Sequence, residues 1–539
     1  LQLASHPLSR DEQIHRLRTE QFDLAVIGGG INGAAVARDA AMRGLRVALI
    51  DKGDFAGQTS SCSTKLIHGG LRYLPQGQLR LVYEALHERE RLSRITAPHL
   101  VRPIPFLFPV YSGRTVSRLA LSAGLFVYDL LALTPPPYRH QRLSADAIAA
   151  IEPALARGGL RGGALYYDGH ADDSRLTLEN VLDAIVHGAA AANYMELTGF
   201  DKRAGTIRAA HVEDVASGSG LAIRAGIFVN ASGPWVDAVR RMDDPGAEPT
   251  LRLTKGVHLM LKPERVPVRN SLVLSDGQGR IVFLIRNRDW VLLGTTDTDY
   301  DGAPEQVHAQ AADVDYLLKV VSKTVADARL DYQDVATSFA GLRSLVAVKG
   351  IKAPSMLPRE ELILAANSGM VSIAGGKLTT HRRIAERVVD LVCRELGKPS
   401  GKSPTLTTPL PGARPCSQTL PPADTITAAP RTELAERYGT RLALLEAIVE
   451  QQPWLGQPLG PQCPILAVEA VFAARFEMAR TLEDFMVRRT ALARRNPAQA
   501  EAVAPRAACL MGSELGWTAE RVNLEVGQFG AALAASRKF

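Results

Sequence analysis

The sequence predicts an α/β protein in three parts: a Rossmann-type dinucleotide-binding unit, a mainly antiparallel sheet that caps it, and an all-α C-terminal domain. Three observations predict this. A strand, tight turn, helix and second strand occupy Phe22–Asp51, with Gly28, Gly30 and Gly33 at GxGxxG spacing. Strand-like alternation dominates residues 254–345, and amphipathic helical stretches fill residues 432–536.

In the first unit each residue type has a physical reason. Gly28 lets the chain turn out of the strand, Gly30 leaves no side chain between backbone and a pyrophosphate, and Gly33 lets the helix pack close to the sheet. Asn32 sits in the first turn of that helix, whose free N–H groups favour a phosphate. Asp51, at the end of the second strand with Lys52 beside it, is placed to accept both hydroxyls of an adenosine ribose. A carboxylate there disfavours a 2′-phosphate, and the position of the unit near the N-terminus favours FAD over NAD.

Composition sets outer bounds. A chain of 539 residues exceeds one ordinary core, and 46% hydrophobic with 22% charged residues is the balance of a globular protein. The net charge of +7 suits anionic substrates or anionic lipid, and no RGG, zinc-knuckle or aromatic-interleaved basic segment points to nucleic acid. Cys62, Cys393, Cys416, Cys463 and Cys509 are scattered without CxxC or metal-ligand spacing, as expected in a reducing compartment. Residues 1–20 form a polar arm in which no apolar leader is expected.

After Asp51 comes a loop dense in hydrogen-bonding groups. Thr59, Ser60, Ser61 and Ser63 are followed within ten residues by Lys65, Leu66, His68, Gly69, Arg72 and Tyr73, and the segment is read as lining a site. A helix with a charged outer face is expected over residues 79–96. The apolar run Leu119–Leu133 is too short to span a bilayer, but Arg114, Arg118, Arg139 and Arg142 flank it as they would an interfacial helix. A buried helix with basic flanks is the competing reading.

Further on, GIFVNASGPWVD at 226–237 is a strand that breaks at Gly233, where the backbone can approach a cofactor. VSIAGGKLTTHR at 371–382 repeats the pattern of strand, glycine turn and helix, with Gly376, Lys377, Leu378 and Thr379 at the helix start. Such a terminus stabilises the negative charge of a reduced flavin. Residues 397–431, rich in Pro, Ser and Thr, read as a linker. Beyond it, Val468–Arg480 and Leu482–Arg495 read as helices, and Arg488, Arg489, Arg494 and Arg495 as a solvated face or a contact for acidic partners or lipid. The boundaries are thus 1–20 arm, 21–396 oxidoreductase body, 397–431 linker and 432–539 helical domain. Within the body, about 21–100, 155–250 and 335–396 are assigned to the cofactor, and about 101–154 and 251–334 to the cap.

Taken together, GGGINGAAVARDAAMRG, TSSCSTKLIHGGLRYL, VNASGPWVD, GTTDTDY and AGGKLTTHR resemble, in order, the FAD-dependent glycerol-3-phosphate dehydrogenase family. The resemblance implies oxidation of sn-glycerol 3-phosphate to dihydroxyacetone phosphate, with electrons passed through FAD to a membrane quinone. It also implies a peripheral protein on the cytoplasmic face of the plasma membrane. Arg72, Arg343, Arg359 and Lys377 match the substrate pocket, where Arg offers a planar fork to a phosphate. Tyr73 would bond the substrate; His258 and His68 are both candidates for the base, with His258 favoured. No histidyl or cysteinyl linkage signature stands out, so the FAD is expected to be non-covalent, and a homodimer is the assembly entertained. Competing readings are a glycerol-3-phosphate oxidase using O₂, an amine or amino-acid oxidase of the same fold class, and a non-catalytic binding module.

Overall fold

The computed structural model describes residues 9–113, 117–133, 138–277, 279–326, 328–348, 360–414, 426 and 428–539. Strand Gln21–Ile27 lies in parallel between Val47–Ile50 and Ser219–Asn230, with Ile27 opposite both Ile50 and Asn230. Met370–Ala374 and Ala190–Ala192 extend the parallel sheet on either side. These strands are apolar almost throughout because helices Ile31–Met42, Asp173–Val186 and His381–Glu395 pack against the sheet. Three strands therefore end at one edge, at Ile27, Ile50 and Asn230, where ligands of such sheets bind.

The second sheet is larger. Leu251–Leu261 pairs antiparallel with Val291–Gly294 and with Val335–Val346, while Val101–Tyr111 pairs antiparallel with Leu160–Ala171. A short parallel contact, Ser271 opposite Phe106, joins the two halves. The alternation read from the sequence is present, but two boundaries move. Leu160–Ala171 and Val335–Val346, both assigned by sequence to the cofactor part, are strands of the capping sheet. Local pattern reports a strand and not its partner, which explains both shifts.

The C-terminal helices Ala428–Tyr438, Leu442–Gln451, Ala467–Phe476, Pro497–Leu515 and Ala519–Ala535 surround their own core of Leu445, Phe472, Phe485, Met511 and Phe529. They dock on the body through buried charge. Arg175 of the parallel-sheet domain donates to both carboxylate oxygens of Glu477 at 2.7 and 2.8 Å. The preceding proline-rich stretch is not a free linker over residues 403–414. There Arg38 Nη2 donates to the Thr408 carbonyl at 2.8 Å and the Leu410 N–H to the Thr96 carbonyl at 2.8 Å, so the segment straps the body.

Leu482–Arg495 also departs from expectation, because it is not one helix. Asp484–Arg489 is a wide π-helical stretch that ends before Ala491 at φ +57°, and an α-helix resumes at Leu492–Arg495. Arg488 and Arg489 thereby face inward and not toward solvent, lipid or a partner. Among the described residues no helix is long and apolar enough to cross a membrane. Arg118–Ala132 is a helix with one buried and one exposed side, so neither competing reading of that run is complete.

Candidate active site

The first glycine turn is shaped by close backbone approach. Gly28 sits at φ +108°, and a Cβ there would stand 2.5 Å from the Ala231 carbonyl oxygen. At Gly33 a Cβ would stand 1.8 Å from the Gly28 carbonyl oxygen, so only glycine lets the helix begin there. Gly30 precedes the helix with no side-chain cap and no acidic residue in the first turn, which leaves the positive end of the helix open. Ser60 Oγ accepts the Ile31 N–H at 2.9 Å. Asn32 Nδ2 bonds the Gly375 carbonyl at 3.3 Å and ties this turn to the second one, while its Oδ1 is buried without a partner.

Asp51 Oδ2 accepts the Gly29 N–H at 2.6 Å and Oδ1 the Gly53 N–H at 2.9 Å. Burial raises its carboxyl to about 6; the Gly53 and Gly29 amides pull the other way, and the Asp54 carboxylate adds to the rise. A carboxyl this close to neutrality is relieved when hydroxyls of a ligand donate to it. Lys52 bonds Glu305 at 2.6 Å and lies over the Trp235 ring, 3.9 Å from its centre.

The hydroxyl-rich loop splits into side chains that face a cavity and side chains that hold the loop. Thr59 Oγ1 donates to the Leu342 carbonyl at 2.8 Å, and the His68 N–H to Thr379 Oγ1 at 3.1 Å. Ser61 is buried, its Oγ on the Gln58 carbonyl at 3.1 Å. Lys65, expected at the cofactor, is not among the residues that line the cavity. Its Nζ is buried in an ion pair with Asp173, because residue 65 takes φ +59° and turns its side chain back to the helix start. Gly69 is also a packing residue, its N–H donating to the Tyr128 hydroxyl at 2.8 Å.

At the other end, the capping sheet brings the reactive side chains together. His258 is 2% exposed, opposite Gly294 and Phe339 in register, and its ring stacks on Phe339 at 5.0 Å and 15°. Thr64 Oγ1 is 2.9 Å from His258 Nε2, and Nδ1 has no partner. Burial, then the positive charges of Arg343, Lys65 and Arg494, hold this imidazole well below its ordinary range, so it is neutral at physiological pH. Arg343 is fixed by the Thr296 carbonyl at 3.1 Å, Thr295 Oγ1 at 3.0 Å and Asp297 Oδ1 at 3.3 Å. Its guanidinium lies against Gly256, where a Cβ would come within 2.5 Å. Lys377, just before the turn Leu378–Thr380 and the helix His381–Glu395, lies over the buried Tyr73 ring at 4.1 Å.

A cavity of ≈1010 Å³ joins the two ends. It is lined by Gly28, Gly30, Asn32, Asp51, Lys52, Thr59, Ser60 and Gly233 from the first domain and by Leu66, which pairs with His170 of the capping sheet. His68, Tyr73, His258, Arg343, Gly376, Lys377, Leu378 and Thr379 line it as well. Gly33, Ser61, Lys65 and Gly69 stand behind this wall. The side chain of Arg72 and all of Arg359, both expected to hold substrate, lie outside the described residues, as do Arg114 and Cys416.

Sequence reading missed one wall. Thr481, Glu483, Arg488, Gln528 and Phe529 of the C-terminal helices line the same cavity. Arg488 and Arg489 both bond the buried carboxylate of Asp54, Arg489 through two bonds of 2.7 and 2.9 Å. The signal available was the acid at position 54 in DKGDF and the double arginine, but nothing local pairs them.

Two glycine turns, a buried carboxylate at the end of the second strand and an elongated cavity running to a neutral histidine and an anchored arginine define a dinucleotide-dependent oxidoreductase. The chain belongs to the FAD dependent oxidoreductase family, whose model matches residues 23–382, and within it to the glycerol-3-phosphate dehydrogenases. FAD is its cofactor. A second model, the C-terminal domain of alpha-glycerophosphate oxidase, matches residues 403–522. The chain is 36% identical to a glycerol-3-phosphate dehydrogenase of Synechocystis sp. over 95% of its length and 96% of the relative's. It is 36% identical to an aerobic glycerol-3-phosphate dehydrogenase of Bacillus subtilis over 90% and 89%. The crystal structure of the glycerol-3-phosphate dehydrogenase from Bacillus halodurans complexed with FAD matches with a TM-score of 0.81 at 29% identity, covering 100% of this chain and 99% of that one.

Proposed function

We propose that this protein oxidises sn-glycerol 3-phosphate to dihydroxyacetone phosphate and delivers the electrons to a quinone at a membrane surface. The observation that carries the reaction is His258, a neutral imidazole in the wall of the cavity, flanked by the fixed cation Arg343. The names of the relatives support the substrate.

In this reading Arg343 and Lys377 hold the anionic substrate, and Tyr73 supports Lys377 from its ring face. Arg343 loses little freedom on binding because Thr295, Thr296 and Asp297 already hold it. His258, kept in place by Thr64 and Phe339, takes the proton of the C2 hydroxyl, and a neutral ring is the form that can do so. His68, whose backbone bonds Thr379, also lines the cavity and is the alternative base. The chemistry supplied by bound FAD is acceptance of the hydride from C2. Asp51, the Gly28–Gly33 turn and the helix start at Ile31 would hold its adenosine and pyrophosphate.

The acceptor is argued from the outside of the molecule. On helix Arg118–Ala132 and the residue after it, Leu119, Phe126, Leu130 and Leu133 are 80%, 61%, 62% and 75% exposed and recur on one face. Arg118, Arg139 and Arg142 are exposed and flank the helix in sequence, which suits an anionic bilayer.

The test is a visible spectrum of the protein purified in mild detergent, followed by sn-glycerol 3-phosphate without oxygen. Bleaching of a flavin band near ~450 nm, reversed faster by a soluble quinone than by air, supports the whole reading. Faster reoxidation by air makes it an oxidase, and a band that stays oxidised removes the substrate.

A further inference from the structure

The C-terminal helices send one arginine to the reactive end of the cavity. Arg494 Nη1 donates to the Ser61 carbonyl, and Nη2 stands 3.4 Å from Cys62 Sγ, a cavity-lining residue. Its guanidinium lies over the Phe339 ring, 4.4 Å from the centre, and Phe339 is the ring on which His258 stacks. Its own carbonyl accepts from Thr337 Oγ1 at 3.0 Å, on the strand that carries Phe339 and Arg343.

We infer that Arg494 is a positioning residue of the catalytic site: its guanidinium joins the His258–Phe339 stack to the Ser61–Cys62 turn, so that docking of the C-terminal helices completes the proton-accepting end of the cavity. The inference rests on the reading of His258 as the base.

Charge is the reason a guanidinium suits this place. Three cations bear on His258: Arg343, Lys65 and Arg494. Lys65 is paired with Asp173, and Arg343 bonds Asp297. Arg494 meets a carbonyl, a sulfur and an aromatic ring, and among the described residues no carboxylate pairs with it. Its positive charge is therefore the least offset of the three. A nearby positive charge disfavours the imidazolium, which keeps the ring able to accept a proton at lower pH. The ring face of Phe339 holds that charge by cation–π attraction without cancelling it.

The experiment compares Arg494→Gln, Arg494→Met, Arg494→Lys and Thr337→Val in the FAD-loaded full chain. Two quantities are read: the acid limb of kcat/KM against pH with a dye acceptor, and the NMR titration of His258, assigned by its loss in His258→Asn. The neutral variants are expected to move limb and titration measurably to higher pH. Arg494→Lys should restore most of the shift. Thr337→Val removes one hydrogen bond to the Arg494 carbonyl and leaves both the docking and the guanidinium charge in place, so it should leave the limb where it is. Normal FAD content with an unmoved limb and titration in the neutral variants overturns the inference, as does an equal shift in Thr337→Val. If neither neutral variant folds, a limb displaced in Arg494→Lys overturns it and a limb in place supports it. The base reading fails separately, if His258→Asn keeps its kcat; the titration of His258 in Arg494→Gln would then still report the charge.

Discussion

Arg489 donates to both carboxylate oxygens of Asp54, at 2.7 and 2.9 Å, in a contact where the arginine side chain is 1% exposed and the aspartate 0%. The bond joins the C-terminal helices to the residue three places after the cavity-lining Asp51. Removing one partner of such a pair leaves a buried charge uncompensated, which costs about 3–5 kcal/mol. Arg489→Met is therefore expected to lower the unfolding midpoint markedly, measured by calorimetry of the holoprotein. Arg488, which also bonds Asp54, keeps the loss from being larger.

Gly33→Ala places a methyl group 1.8 Å from the Gly28 carbonyl oxygen. Helix and turn must separate, an overpacking that costs about 1–3 kcal/mol or more. The expected result is a folded protein purified with little flavin, read as absorbance of FAD per chain. Gly44→Ala is the control for handling, since a Cβ there meets nothing within 4 Å, though its φ of +80° adds strain of its own.

FAD affinity should depend on pH through Asp51. Its carboxyl is raised to about 6 in the cofactor-free protein, above the ordinary 3.8. A raised carboxyl contributes stability that is present below 3.8 and lost as pH rises through about 6, so at pH 7 the buried charge burdens the apoprotein. Hydroxyl donors relieve that burden only when the group is ionised. FAD should therefore bind more tightly at pH 7.5 than at pH 5, and Asp51→Asn should weaken binding at pH 7.5 and flatten the difference. Fluorescence quenching of FAD on titration with apoprotein measures both.

How much of this was legible in the sequence depended on distance along the chain. Gly28, Gly30, Gly33 and Asp51 were readable because one contiguous stretch supplies strand, turn and helix in register. Gly376 and Lys377 were readable for the same reason. The partners of Asp54 stand 434 and 435 positions away, and the sequence around Arg488 and Arg489 looks like any wet helix until the turn at Ala491 is known. The pairing of Lys65 was not legible, because a lysine in a polar loop gives no sign of Asp173, 108 positions later.

The exposed face of helix Arg118–Ala132 gives a prediction independent of the chemistry. Phe126→Ser with Leu130→Ser removes two apolar side chains worth about 1.5–3 kcal/mol each when buried in lipid. Binding to vesicles of phosphatidylglycerol and phosphatidylcholine, followed by sedimentation, should fall about a hundredfold. Dye-linked turnover in detergent should be unchanged.

The wall of one cavity runs from Ile27 to Phe529. A ribosome makes the glycine turn long before the last part of that wall. Until Phe529 emerges the nascent protein holds an unfinished cavity, so a polypeptide cut off before that residue carries the whole glycine motif with one wall of the cavity missing.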